Sequence, residues 1–216
     1  MRDRYQQELD GLGQDVLDLA DVVVSQVQGA ARALKMGDAP LAQDIIDKDR
    51  LVDLREIKIS SDCASLIARE QPVASDLRHI IAYLKAVSDI ERIGDYAVHA
   101  AKRAKDQPMA QLFIANSHIP RMMDLGAEML HDAARALIAR DEASARQIAQ
   151  RDAELDQLKK LVYLEILDMM AKDSTVIENA TKFLFLSRFL ERMGDHAVTI
   201  CSWAIFSAKG EYIDLR

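Results

Sequence analysis

The chain has 216 residues, half of them apolar, with only 8 Gly and 4 Pro and a formal net charge of −7. That length allows one large domain or two small ones with a real core, and so little Gly and Pro excludes loop-rich and all-β designs. The acidic balance speaks against nucleic acid as a partner, because phosphate contacts need a basic footprint and no long basic run occurs.

Good helix formers dominate, and prolines and polar clusters cut the chain into long helical pieces. The pattern predicts helices over 4–36, 40–70, 73–105, 109–139, 141–172 and 175–208. Gly37-Asp38-Pro40 marks the first break, Pro72 the second and Pro108 the third. Asp141 and Lys172-Asp173-Ser174-Thr175 mark the last two. Helices this long point to an all-α bundle. The opening MRDRYQQELD lacks the apolar core of a leader peptide, and the uncharged run Ala197 to Ala208 is too short to span a bilayer. Cys63 and Cys201 form no CxxC motif and read as free, packed thiols of a reducing compartment. These features place the expected protein in the cytoplasm.

The chain repeats itself. Glu91-Arg92-Ile93-Gly94-Asp95-Tyr96-Ala97-Val98 returns as Glu191-Arg192-Met193-Gly194-Asp195-His196-Ala197-Val198. The spacing is 100 residues (191 minus 91). Upstream, Asp49-Arg50-Leu51-Val52-Asp53 matches Asp152-Ala153-Glu154-Leu155-Asp156, with a three-residue loop difference between the copies. The expected architecture is two tandem three-helix bundles, 1–107 and 108–216, related by an internal pseudo-twofold.

Carboxylates stand out in the repeat. Ile80, Leu84, Val87, Glu91, Gly94, Val98 and Ala101 step by four and three, as a seam does, and so do Ala180, Leu184, Ser187, Glu191, Gly194, Val198 and Cys201. Each seam carries a glutamate at its centre, which is costly unless paired or metal-bound. Asp95 and Asp195 follow one turn later on the same face. Asp49 with Asp53, and Asp152 with Asp156, repeat that spacing on the preceding helix. Four carboxylates would converge in each half if those helices are neighbours. An all-oxygen donor set suits iron, manganese, magnesium or calcium, with zinc less usual. His99 falls one turn beyond Asp95 and is a further candidate for the first group; its counterpart is Thr199.

The doubled Glu-Arg-Ile/Met-Gly-Asp-Tyr/His-Ala motif, the upstream Asp-x-x-x-Asp pairs and the segment Pro72 to Ile80 resemble the signature of the PhoU family, over nearly the whole chain. The resemblance implies metal clusters, iron or zinc, on Asp49, Asp53, Glu91, Asp95, Asp152, Asp156, Glu191 and Asp195. It implies no catalysis but a cytoplasmic negative regulator of the phosphate-starvation response. Its partners would be the ATPase of a phosphate ABC transporter and a sensor histidine kinase, and it would act as a homodimer peripheral to the membrane at most.

Two other readings stay open. A carboxylate di-iron enzyme would need two E-x-x-H motifs, and only Glu128 with His131 has that spacing near the middle of the chain. A metal-free helical scaffold would pair the same carboxylates with the arginines beside them. Met122, Met123, Met169 and Met170 read as core filler, and Trp203 with Phe206 as packing or a dimer contact rather than a ligand stack.

Overall fold

A computed structural model describes residues 2–105, 116 and 118–216. Among them are seven α-helices: α1 Arg2–Met36, α2 Ala39–Glu70, α3 Ala74–Ala104, α4 His118–Ala139, α5 Glu142–Gln150, α6 Asp152–Lys172 and α7 Ile177–Lys209. No strand occurs among the described residues, and none of their helices is long and apolar enough to cross a membrane. The predicted joint at Gln107–Pro108 and the predicted helix start at 109 lie outside the described residues.

α1, α2 and α3 pack on one another, and α4, α5–α6 and α7 do the same. The two bundles meet through α3 against α7 and α1 against α4. One continuous apolar cluster runs through both, from Leu19, Val23 and Ile90 to Leu130, Phe183 and Leu190. α2 and α6 are the outer helices among the described residues, each packed mainly within its own half. Met122 and Met123 are buried fillers as expected, whereas Met169 and Met170 are half-exposed.

The repeat extends to the turns. Helix α1 closes at Gly37 (φ 63°) and α4 at Arg140 (φ 56°), which are equivalent positions. In both, the next residue's N–H reaches back five residues, from Asp38 to the Ala33 carbonyl (3.0 Å) and from Asp141 to the Ala136 carbonyl (2.9 Å). Those aspartates then cap the following helix: Asp38 Oδ1 accepts from Leu41 N–H (2.9 Å) and Asp141 Oδ1 from Ser144 N–H (3.0 Å). Arginine in a left-handed conformation is strained where glycine is not. Its guanidinium crosses to the other half, where Arg140 Nη1 donates to His79 Nε2 at 3.3 Å.

Two differences from the sequence reading matter. The helix expected over 141–172 is two, because the backbone tightens at Arg151. Arg151 N–H bonds Ile148 O, and Glu154 N–H bonds Arg151 O, each three residues apart and 3.0 Å long. The Arg151 guanidinium is tied to α4 through Asp132 (2.8 Å) and Glu128. The break falls immediately before Asp152. The stripe read on α3 is also one edge of the buried face rather than its centre, which runs through Ala86, Ile90, Ile93, Ala97, Ala100 and Ala104.

The two N-caps should contribute alike. Asp38→Ala and Asp141→Ala are each expected to cost about 1 kcal/mol in urea denaturation; a loss confined to one would mean that only that turn needs its cap.

A pair of candidate cation sites

Because the stripe is an edge, Glu91 and Glu191 sit where the core meets solvent, with side chains 22% and 24% exposed. Each faces the groove between the motif helix and the helix before it, α2 in the first half and α6 in the second. Along that groove Asp49, Asp53, Glu91 and Asp95 lie within electrostatic reach of one another in the first half, and Asp152, Asp156, Glu191 and Asp195 do in the second. Burial, then Asp53 and Asp95, push the Asp49 carboxyl above the usual carboxylate range, while Lys102 opposes them. Glu91 is raised by burial and Asp95, opposed by Arg92, with Asp53 and Glu56 adding to the rise. In the second half, burial, Asp195, Asp156 and Glu191 raise Asp152 to about 6. Asp195 is raised by burial and Glu191 and eased by His196 and Arg216.

The second group is the tighter. A methyl on Gly194 would overlap Asp152 Oδ1 and lie 2.6 Å from Leu155 Cδ1. The glycine is therefore a cradle for the aspartate. A methyl on Gly94 would make ordinary contacts, at 3.4 Å from Gln26 Oε1 and 3.5 Å from Val23 and Val52. Asp49 is thus not pressed on the facing helix as Asp152 is.

Side-chain cations already meet these acids. Arg92 lies 3.5 Å from Glu91 and 3.0 Å from Asp95, and Lys159 Nζ is 2.6 Å from Glu191. Among the described residues, no three His, Cys, Asp or Glu side chains converge on one point that would hold a metal ion. The chemistry of the donor set still fits a hard cation: oxygen ligands only, crowded enough to repel one another, with basic side chains as stand-ins.

Other candidates are used elsewhere. His99 stacks its ring on Phe189 of the other half, centroids 4.6 Å apart. Glu128 pairs with Arg121 and Arg151, and His131 with Asp21 at 3.1 Å, so the lone E-x-x-H motif is spent on ion pairs. Cys63 and Cys201 are buried free thiols that burial pushes up to about 12, too high for nucleophiles. His196 Nδ1 meets Asp89 at 2.8 Å, and Tyr96 stacks on Phe189 at 5.6 Å. Positions 96 and 189 thus meet as 196 and 89 do, the reciprocity of an internal twofold.

Sequence reasoning missed Lys159, Arg216 and Gln26. Gln26 is 6% exposed and its amide finds no hydrogen-bond partner among the described residues. It interrupts the buried α1 series Leu12, Val16, Leu19, Val23, Ala30 and Ala33, a four-three spacing that would have flagged it.

The PhoU domain matches residues 16–104 and 119–204. The chain belongs to the PhoU family. It is 33% identical to the phosphate-specific transport system accessory protein PhoU homolog of Streptococcus pneumoniae serotype 4, across 100% of both chains. It is 32% identical to the homolog of the same name from Clostridium acetobutylicum, covering 98% of this chain and 97% of that one. The crystal structure of PhoU from Pseudomonas aeruginosa superposes with a TM-score of 0.86 at 32% identity, over 96% of this chain and 100% of that one. These PhoU relatives are named for an accessory role in transport, not for a reaction.

Two substitutions probe the second cluster. Gly194→Ala should cost about 1–3 kcal/mol by overpacking, with Gly94→Ala close to neutral; equal losses in urea denaturation would remove the cradle argument. Asp152 is the pH probe. Its pKa is raised to about 6 from 3.8. The ionised group therefore destabilises the fold above that pH, and the penalty fades as pH falls toward 4. Asp152→Asn should stabilise chelator-treated protein by about 1–2 kcal/mol at pH 7.5, after allowing for solvent screening, and by nothing at pH 4. A pH-independent difference would contradict this.

Proposed function

We propose that this PhoU-family protein is a cytoplasmic negative regulator of the phosphate-starvation response, linking a phosphate ABC transporter to a sensor histidine kinase. The observation that carries the reading is full-length similarity to proteins named as accessory components of phosphate-specific transport. The architecture suits such a role, since the described residues offer long helical faces. It acts at the transporter's cytoplasmic ATPase, peripheral to the membrane.

The outer helices offer contact surface. Leu51, Leu54 and Ile57 on α2 are 55%, 51% and 60% exposed, and Leu161, Leu164 and Leu167 on α6 are 43%, 60% and 41% exposed. Apolar side chains clustered like this suit a protein partner or a second copy in a homodimer.

In this reading the eight carboxylates bind metal, Asp49, Asp53, Glu91 and Asp95 in one site and Asp152, Asp156, Glu191 and Asp195 in the other. A hard cation would offset the burial and the mutual repulsion that together raise Asp49, Glu91, Asp152 and Asp195, at the expense of the Arg92 and Lys159 ion pairs. Those ion pairs favour the second reading, a metal-free scaffold with the same signalling role. Elemental analysis of untagged protein separates the two. Iron, manganese, magnesium or zinc bound per chain, and lost in Glu91→Ala/Glu191→Ala with the helical circular dichroism unchanged, is the expected result. Full metal content in that variant would overturn the assignment.

The regulatory role has its own test. Restoring this chain to a strain lacking its PhoU should re-establish repression of phosphate-starvation genes in high phosphate, and co-purification should recover the transporter ATPase. Unchanged derepression would sink it.

A further inference from the structure

The turn that closes α4 is fastened to the other half. Arg140 holds a left-handed backbone (φ 56°) that its counterpart Gly37 adopts without strain. Among the described residues its guanidinium makes one hydrogen bond, from Nη1 to His79 Nε2 at 3.3 Å. A guanidinium can only donate, so His79 Nε2 accepts, and the imidazole is neutral with its proton on Nδ1. His79 is 5% exposed and lies on the floor of a cleft of about 300 Å³ between α1, α3 and the end of α4. The ionisable groups around it are Asp10 on α1, Asp76, Arg78 and Tyr83 on α3, and Arg140 itself. Burial, then Arg140, hold the imidazole below its ordinary range; Asp76 opposes them and Arg78 adds to them.

We propose that the His79–Arg140 bond is an acid-sensitive latch between the two halves. A proton taken from solvent onto His79 Nε2 removes the acceptor and sets imidazolium against guanidinium. Arg140 then has no partner to offset its strained backbone, and the turn into α5 opens. Asp76, one helical turn before His79, is the carboxylate on the same helix that receives the imidazolium. Because the folded imidazole binds its proton more weakly than the unfolded one, the latch is closed above about pH 6.5 and loosens as pH falls below it. Asp141 does not share in the switch. The bonds it accepts from Ser144 hold its carboxyl below the usual carboxylate range, so the α5 cap stays ionised in mild acid.

The molecule carries its own control, since Asp38 N–H bonds the Ala33 carbonyl in the first half as Asp141 N–H bonds the Ala136 carbonyl in the second. Hydrogen exchange of the full chain, read by NMR and corrected for the intrinsic effect of pH, follows both amides. Between about pH 7 and pH 5 the protection of Asp141 N–H should fall about tenfold, the effect of losing one buried hydrogen bond, while that of Asp38 N–H holds. His79→Gln keeps an acceptor and takes no proton, and Arg140→Gly makes the left-handed turn unaided. In both variants Asp141 N–H should be equally protected at the two pH values. Unchanged protection in the parent would overturn the latch. So would a fall shared by Asp38 N–H, which is general loosening in acid, or a fall that persists in either variant.

Discussion

The packing of α3 against α7 is the contact on which the rest of the molecule rests. Each is the inner helix of its half, and each must bury a broad alanine-rich and isoleucine-rich face against the other and against its own neighbours. Small side chains such as Ala97, Ala100 and Ala197 keep the backbones near, and the reciprocal pairs Tyr96–Phe189 and His196–Asp89 lie across the joint. Once these two faces are committed to the core, the edges are what remains for function. Both edges carry the same Glu-x-x-x-Asp pair, and α2 and α6 lie alongside to supply the second pair.

Placing carboxylates at such an edge sets an electrostatic problem that a core position would make insoluble and an exposed position would not pose. Enough water is lost to raise Asp49, Glu91, Asp152 and Asp195, yet enough remains for Arg92 and Lys159 to reach in from the surface. The two halves solve it unequally. Asp152 is pressed onto Gly194 directly after the tightened turn at Arg151, whereas Asp49 follows an unbroken helix and faces the roomier Gly94.

Much of this was legible in the sequence. Prolines and capping aspartates gave the helix ends to within a few residues, and the doubled motif marked the internal twofold. Periodicity could not say whether Glu91 lay at the middle or the margin of the buried face, since a four-three stripe looks the same at either place. The break at Arg151 carries no proline or glycine, and its ion pairs with Glu128 and Asp132 depend on how α4 is packed. Tyr212 meets Trp203 only because Gly210 reverses the chain after α7, a tertiary contact without a local signal.

The turn at Arg140 bears on how the two halves relate as copies. The first half makes its version with Gly37, which accepts a left-handed backbone without strain; the second makes the same turn with a residue that resists it and steadies it on His79 of the other copy. A duplicated unit that stands on its own need not lean on its twin. Here the later copy closes its turn with a side chain borrowed from the earlier one, so that this turn is shaped by the joint between the halves as well as by its own sequence.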